Sequence, residues 1–176
     1  MTRVAKQYNI DYRKRVDKDR DMYLPLRSPE GLLYCRGCGS IYYRRRWTLK
    51  PPQEVLDRVE SGGDLRFTLC PACRKLRDHY PSGELRLAGI PARDKQEVLR
   101  LLKNEEERAR EKNPLERIMR LETGGDEWKV ETTTEKLAQR LGRCVRKARG
   151  GNVVYKWSHN RKLARVFWQK ETTNKE

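Results

Sequence analysis

Hydrophobic and polar residues follow two different periods along this chain. A period of two runs through 40–48, which predicts a strand with Ile41, Tyr43 and Trp47 on one face and Tyr42, Arg44 and Arg46 on the other. A period near 3.6 runs from Glu135 towards Gly150, which predicts an amphipathic helix. The apolar stripe of that helix is formed by Leu137, Leu141, Cys144, Val145 and Ala148. The chain therefore combines short strands with helices in an α+β arrangement.

Prolines and glycines delimit shorter elements between these segments. The predicted elements are, in order, a short helix over 54–60, a return strand over 65–69, a helical turn over 74–80, a strand over 84–87 and a helix over 92–112. The second half of the last helix, 104–111, has almost nothing apolar to bury. It is expected to be a solvated helix or spacer, stabilised by pairs such as Glu106–Arg110.

The C-terminal third predicts the order strand, strand, helix, strand, strand. Strands over 117–121 and 128–131 flank a Gly-Gly-Asp turn, and a closing hairpin pairs 153–158 with 163–168. One helix that covers a small antiparallel sheet is the economical architecture for this order. The buried aromatic residues of this unit are expected to include Trp128, Trp157 and Trp168.

These patterns divide the chain into five segments. They are a basic N-terminal arm (1–29), a small treble-clef or zinc-ribbon-like module (30–91), a helical linker (92–114), a basic ββαββ module (115–170) and a tail (171–176). The arm carries eight basic and four acidic residues without a sustained apolar stripe. It is either flexible until it meets a polyanion or simply solvated.

Two C-x-x-C pairs carry the clearest chemistry in the chain. Cys35 and Cys38 form the first pair, Cys70 and Cys73 form the second, and 31 residues lie between the two pairs. Four thiolates at this spacing are the ligand set of a closed tetrahedral zinc site, and Gly39 relieves the turn after the first pair sterically. Because four sulfurs leave zinc no open position for water, the pattern predicts one structural zinc ion.

Two other interpretations of the cysteines are weaker. Cys70-Pro-Ala-Cys73 alone is compatible with a redox pair, but that motif needs a βαβ context, which is missing here. A disulfide framework is disfavoured because the chain has 5 cysteines in 176 residues and shows no signal peptide. The fifth thiol, Cys144, is expected to be an inert part of the core.

The net charge of +16 arises from 41 Lys and Arg residues against 25 Asp and Glu residues. Such a balance indicates a polyanionic partner, which is nucleic acid or, as a minor alternative, an anionic membrane surface. No stretch reaches the apolar length of a transmembrane helix. The pattern favours a cytoplasmic protein without a membrane partner that is monomeric when free. At 36% hydrophobic residues, two small folded units fit better than one large core.

The basic residues are concentrated in two segments, 35–53 and 140–170, that contain no carboxylate. A solvated surface normally mixes charges of both signs, so the two segments favour an anionic partner over a plain solvated face. The candidate nucleic-acid contacts are Arg44, Arg45, Arg46, Lys136, Arg140, Arg143, Lys147, Arg161 and Lys162. On the predicted helix, four of these recur at i, i+4, i+7 and i+11 and form one stripe.

Rings near these arginines modestly favour RNA over duplex DNA. Exposed rings such as Tyr42 and Tyr43 could stack on unpaired bases. No helix-turn-helix, C₂H₂ or RNA-recognition motif is present, and no phosphate loop, nucleophile elbow or H-E-x-x-H pair occurs. No catalytic or cofactor-binding residue is therefore predicted beyond the zinc ligands. A DNA-associated zinc-ribbon protein of the transcription machinery is the alternative, and a nucleic-acid-modifying enzyme or its subunit is a third class.

The order of these parts resembles known proteins. Paired knuckles, a basic linker and a ββαββ module whose helix opens Thr-Thr-Glu-Lys-Leu-Ala resemble the N-terminal half of the archaeal and eukaryotic export adaptor of the large ribosomal subunit, named for nonsense-mediated decay. The segment 70–83, with Asn104-Glu-Glu-Glu and Asn113-Pro-Leu-Glu-Arg117, is similar to a group of small, uncharacterised bacterial C-x-x-C zinc proteins. The second resemblance covers most of 30–170.

The adaptor resemblance implies docking on the large subunit through ribosomal RNA and proteins around the tRNA sites. Only Cys35, Cys38, Cys70 and Cys73 carry over by matching position, as zinc ligands. The chain departs from that family in having two cysteine pairs where the family has more, and it stops after the ββαββ unit, so nuclear export is not implied. The bacterial resemblance supplies no activity. The expected function is that of a non-catalytic, ribosome-associated RNA-binding protein in assembly, hibernation or translation quality control.

Overall fold

The computed structural model describes residues 21–63, 65–158 and 163–170, and these residues form a mixed α+β fold, as predicted. The strands are β1 (Leu32–Cys35), β2 (Ile41–Tyr43), β3 (Arg46–Thr48), β4 (Leu65–Thr68), β5 (Gly83–Ala88), β6 (Ile118–Glu122), β7 (Glu127–Thr132), β8 (Asn152–Trp157) and β9 (Ala164–Gln169). The helices are α1 (Gln53–Glu60), α2 (Pro71–Arg77), α3 (Lys95–Lys112) and α4 (Glu135–Arg149), and a 3-10 turn at Ala92–Asp94 precedes α3.

The first sheet is small and has the strand order β3-β2-β1-β4. Its outer strand β4 runs parallel to β1, whereas β1, β2 and β3 are antiparallel. Helix α1 packs on one face, where Leu32, Ile41 and Val55 form a small core. The opposite face carries Cys35 and Trp47 into the cluster around the cysteines.

The segment 40–48 is a hairpin and not the single strand that its alternation predicts. It forms β2 and β3, joined by a two-residue turn at Arg44 and Arg45, and Tyr43 pairs with Arg46 across that turn. Because the chain reverses there, Trp47 lies opposite Tyr42 and shares its face of the sheet. Tyr42 is therefore buried against Trp47, and the centroids of the two rings are 5.4 Å apart.

The second sheet has five strands in the order β6-β7-β5-β9-β8. Strand β5 lies at its centre, antiparallel to β7 and parallel to β9. By its place in the sequence, the strand over 84–87 is expected to belong to the cysteine module (30–91). In the structure this segment pairs with both halves of the C-terminal unit, so the sheet is mixed and has one strand more than the ββαββ order implies.

Helix α4 covers one face of this sheet and begins at a side-chain cap. The hydroxyl of Thr134 accepts a hydrogen bond from the Leu137 amide at 3.2 Å, as expected for a helix N-cap. Alternate residues of β5, β7 and β9 point towards the helix and are almost fully buried. This larger core includes Leu85, Leu87, Trp128, Val130, Leu137, Leu141, Val145, Val166 and Trp168. Trp157, in contrast to the expectation, is 44% exposed at the end of β8.

The second half of α3 is packed and is not a solvated spacer. Ala109 is fully buried in the larger core, and the carboxylate of Glu106 accepts a hydrogen bond from the Ile118 amide at 2.7 Å. Glu105 is ion-paired with Arg140 on α4 at 2.7 Å. The polar half of α3 therefore docks through specific charged contacts where apolar ones are scarce.

The end of the N-terminal arm is also folded onto the rest of the chain. Tyr23 is buried, with its ring 5.2 Å from that of Tyr80, and Asp21 is ion-paired at 2.5 Å with the buried ammonium group of Lys75 on α2. Asp21 and Tyr23 therefore differ from the expectation of a flexible or solvated arm, whereas Met22, Leu24 and Leu26 are exposed. The arm before residue 21, with Tyr8 and Tyr12, and the tail after residue 170 lie outside the described residues.

Candidate metal centre and basic surfaces

The four cysteines of the two C-x-x-C pairs converge on one point, as their spacing predicts. Cys35 ends β1, and the chain then turns back through a knuckle that brings Cys38 alongside it. Cys70 is the N-cap of α2, and Cys73 lies in its first turn. The four sulfur atoms all lie within 4.8 Å of one another, which places them to hold a single metal ion.

Backbone and side-chain donors orient the sulfurs. The amide of Cys70 donates to Cys35 Sγ at 3.2 Å, and the amide of Cys73 donates to Cys70 Sγ at 3.4 Å. Arg117, at the entrance to β6, donates from Nη1 to Cys73 Sγ at 3.3 Å. A guanidinium group in this position offsets the negative charge that four thiolates would bring, and it links the cysteine cluster to the second sheet.

The thiols of the cluster have strongly unequal proton affinities. A hydrogen bond from Cys70 lowers the pKa of Cys38 to about 4, and Ser40 supports the Cys38 thiolate from 3.2 Å. The same hydrogen bond raises the pKa of Cys70, whereas burial raises that of Cys73 to about 11. Because the pKa values of Cys70 and Cys73 are raised, a bound cation would be needed to favour the thiolate form of these two ligands.

Gly37 was missed as a functional residue by the sequence analysis. A Cβ atom at this position would lie 2.9 Å from Cys73 Sγ and 3.2 Å from a methyl group of Leu69, so the knuckle has no space for a side chain there. Gly39 has a φ of +72°, which confirms its expected role in the turn. The need for glycine at position 37 arises from the close approach of the two C-x-x-C segments in the folded chain, so no local sequence signal indicates it.

Cys144 lies apart from the cluster. Its thiol points towards Glu105 on α3, with the sulfur 3.9 Å from a carboxylate oxygen, and burial raises its pKa. It is half-buried at the contact between α3 and α4 and is not part of the larger core, in contrast to the expectation.

The arginines of the first acid-free segment project from the turn between β2 and β3. Arg44, Arg45 and Arg46 are all exposed. Arg44 and Arg45 both have positive φ values, +46° and +65°, the pattern of a type I′ turn. Such positions normally hold Asn or Gly, because a larger side chain there is sterically strained. The tip thus presents two arginines where the backbone disfavours them.

The four basic residues predicted to form one stripe on α4 have different surroundings. Lys136, Arg143 and Lys147 are exposed on α4, and none has an ion-pair partner within 4.0 Å among residues 21–63, 65–158 and 163–170. Arg140 differs from them, because it is bound to Glu105 at 2.7 Å and lies 3.7 Å from Glu116. Its charge is used to join α4 to α3.

The two remaining candidate contacts, Arg161 and Lys162, lie outside the described residues, as does His159. Their neighbours on the closing hairpin, Lys156 and Arg165, are both exposed. Lys156 and Arg165 are register partners, and Arg165 alternates along β9 with the buried residues that face α4. Both side chains therefore project from the sheet face that α4 does not cover. The helix and the hairpin therefore carry their charges on opposite sides of the sheet.

Comparisons with known proteins add no assignment. No protein-family model, no curated protein and no solved structure matches the chain. Among the helices of the described residues, none combines the length and the apolar character that crossing a bilayer requires.

Proposed function

We propose that this protein is a non-enzymatic, ribosome-associated RNA-binding protein whose N-terminal module is held by one structural zinc ion. The observation that carries the proposal is the contrast in how the structure uses its cations. Arg140 and Arg149 on α4 are paired with carboxylates of α3 and its approach, whereas Lys136, Arg143 and Lys147 on the same helix have no such partner among the described residues. Exposed cations without ion-pair partners suit a polyanion, and Arg143 and Lys147 also lie in the acid-free segment 140–170.

The donor set favours zinc as the metal. Four cysteine sulfurs select zinc or an iron–sulfur centre over magnesium and calcium, and tetrahedral S₄ coordination is typical of structural zinc. Zinc–sulfur bonds of about 2.3 Å hold tetrahedral sulfurs about 3.8 Å apart. The Cys38 and Cys70 sulfurs are 3.7 Å apart. Such a closed site would stabilise the module and would leave no position for substrate.

The geometry of α4 fits a phosphate backbone. A rise of 1.5 Å per residue spreads Lys136, Arg143 and Lys147 over about 16 Å of the helix axis. Because 136, 143 and 147 fall within one narrow arc of the helix, all three can face the same nucleic acid. We refer to these three residues as the α4 stripe. Phosphate contacts of this kind supply affinity and a strong dependence on salt, but little sequence specificity.

The choice of ribosomal RNA rests on two supports. One is the resemblance of the cysteine module and the following unit to the large-subunit export adaptor, which implies contact with the large subunit. The other is the absence among the described residues of a motif that reads the major groove of DNA, together with rings beside arginines such as Tyr43, whose ring lies 5.1 Å from the guanidinium carbon of Arg44.

Charge reversal on α4 tests the proposal directly. Arg143→Glu with Lys147→Glu is expected to weaken binding of a structured ribosomal RNA fragment by about tenfold or more at 0.1 M salt. Arg100→Glu with Lys103→Glu is the matched control, because both residues are exposed on α3 and the net charge changes equally. Equal affinities for the two double variants would reject the α4 stripe, and a preference for duplex DNA of equal charge would favour the transcription alternative.

A further inference from the structure

The face of the five-stranded sheet that points away from α4 carries a second basic surface. Residues such as Leu85, Val130 and Val166 point towards α4 and form the larger core, and α3 contributes to the same core from that side. The residues that alternate with them point the other way. None of these alternate residues belongs to a core cluster formed by the described part of the chain.

Charges on most of this face are paired with opposite charges. On β5, β6 and β7 the ion pairs are Arg86–Glu84, Arg86–Glu127, Lys129–Glu84, Lys129–Glu131 and Arg120–Glu122. Such cross-strand and same-strand pairs stabilise a solvated sheet. This half of the face therefore needs no partner to balance its charge.

The other half, on β8 and β9, breaks this rule. Lys156 and Arg165 lie directly opposite each other in the antiparallel register, and both are exposed. Like charges in this arrangement destabilise a strand pair. The adjacent acid is Glu84, which neighbours Arg165 in register, but its carboxylate is occupied by Arg86 at 2.7 Å and Lys129 at 3.7 Å.

A partly exposed ring lies beside this like-charged pair. The Phe167 ring centroid is 5.3 Å from Lys156 Nζ and 6.0 Å from the guanidinium carbon of Arg86. Val154, its register partner on β8, is 45% exposed. Both cations lie over the ring. A base can therefore stack on Phe167 once these side chains turn from the ring to the neighbouring phosphates.

We infer that Lys156, Arg165 and Phe167, with Arg86 and Val154 at their border, form a binding surface for single-stranded RNA. The base takes the place of the Lys156 ammonium group over the Phe167 ring, and phosphate oxygens lie between Lys156 and Arg165, where they relieve the repulsion. This inference rests on the proposed RNA-binding function and extends it. Because α4 covers the opposite side of the sheet, this surface takes a different stretch of RNA from the α4 stripe.

Binding of the full chain to a fluorescein-labelled, mixed-sequence 12-nucleotide RNA tests the surface, with an abasic strand of equal length as the second probe. Phe167→Leu is expected to weaken binding of the RNA by about 5- to 100-fold and to leave binding of the abasic strand within about twofold, since only stacking is lost. The matched control is Phe67→Leu, which removes an exposed ring that lies 5.0 Å from the guanidinium carbon of Arg36 on the first sheet. It should bind both probes like the wild type.

Lys156→Glu separates binding from folding. It places a carboxylate opposite Arg165, so the Tm should rise while RNA affinity falls and the salt dependence, log K against log of salt concentration, loses about 0.7 in slope per phosphate contact. If the Phe167→Leu and Lys156→Glu variants bind RNA as tightly as the wild type, this inference is overturned, whereas the proposal for the α4 stripe is unaffected. Failure of the wild type to bind any RNA would overturn the proposed function and this surface with it.

Discussion

At the scale of single residues, the clearest signs of function are positions where the structure accepts a local penalty. Arg44 and Arg45 occupy the two central positions of a tight turn with positive φ. Each such residue is strained by roughly 1–3 kcal/mol, and strain of this kind is concentrated at functional sites. The usual Asn-Gly sequence would remove the penalty. The retention of two arginines is consistent with the proposed contact to RNA.

The combined change Arg44→Asn and Arg45→Gly is expected to stabilise the chain by about 1–2 kcal/mol, because it relieves the turn. It should also weaken RNA binding, since two exposed cations are removed. Urea denaturation and fluorescence anisotropy measure the two effects. Arg46→Gln is the control, because Arg46 lies in β3 without positive φ. It should weaken binding without a gain in stability, and a double change that leaves RNA affinity intact would contradict a role for the tip.

Lys75 shows the opposite kind of position, where a charge serves the fold. The whole residue is only 3% exposed. Its ammonium group donates to the Asp21 carboxylate at 2.5 Å, the Ser82 hydroxyl at 2.8 Å and the Thr133 carbonyl at 3.0 Å. One side chain thereby joins the end of the arm, α2 and the second sheet. No local sequence pattern distinguishes Lys75 from the exposed lysines, because two of its three acceptors, Asp21 and Thr133, are distant along the chain.

Lys75→Met is expected to lower the free energy of unfolding by about 2–4 kcal/mol, since it leaves the partly exposed Asp21 carboxylate and two polar groups without their partner. Lys103→Met, at an exposed position of α3, should change it by less than about 0.5 kcal/mol. Chemical denaturation of both variants gives the comparison. A loss below about 1 kcal/mol for Lys75→Met would mean that the three contacts are not formed together in solution.

At the scale of elements, the pairing of α3 with α4 decides which basic residues are free. Arg140 has 27% of its side chain exposed and is bound to Glu105, which is 14% exposed. Arg143, one turn further on, is exposed and has no ion-pair partner within the described ranges. Helical spacing placed both on one stripe, and only the position of α3 separates them.

Arg140→Gln and Arg143→Gln therefore form a matched pair of variants on one helix. Arg140→Gln is expected to destabilise the chain by about 1–3 kcal/mol, because Glu105 and Glu116 lose their cation, and to change RNA affinity little. Arg143→Gln should leave stability within about 0.5 kcal/mol and weaken RNA binding. Thermal unfolding and anisotropy distinguish the two. The reverse pattern would show that α3 does not engage Arg140.

Elements also show where sequence patterns reach their limit. The cysteine cluster and α4 were predicted because their signals are local: ligand spacing, an N-cap threonine and a helical apolar stripe. The split of 40–48 into two strands was not predicted, because Arg44-Arg45 lacks the Asn-Gly signal of a hairpin turn. The central position of β5 depends on its pairing with β7 and β9, which begin 44 or more residues later in the printed sequence. Contacts of that range leave no local pattern.

At the scale of the whole molecule, the cysteine cluster connects the first sheet to the segment that leads into the second. Arg117 connects Cys73 to the entrance of β6, and Leu115 packs against the cluster from the same segment. A metal bound by the four thiolates would therefore stabilise the junction as well as the first sheet. Binding free energy at such a site is also folding free energy.

Cys73→Ser is expected to abolish stoichiometric zinc binding and to lower the Tm. The change removes one of the four ligands and also the sulfur that accepts a hydrogen bond from Arg117. Native mass spectrometry should detect one zinc ion per wild-type chain and none in the variant, and circular dichroism gives the Tm. Cys144→Ser is the control, since its sulfur lies apart from the cluster beside Glu105. Its zinc content should remain at one. A folded wild-type chain that contains no metal after expression in zinc-supplemented medium would contradict the structural zinc.

Sedimentation of a gentle lysate through sucrose tests whether the exposed cations attach this protein to ribosomal RNA. At low salt the wild-type chain should comigrate with the large subunit or the whole ribosome, and it should be released at high salt because phosphate contacts are screened. The variant with Arg143→Glu and Lys147→Glu should remain near the top of the gradient at both salt concentrations, whereas the Arg100→Glu and Lys103→Glu control should sediment like the wild type. Absence of the wild-type chain from every ribosomal fraction, in growing and in starved cells alike, would contradict the account.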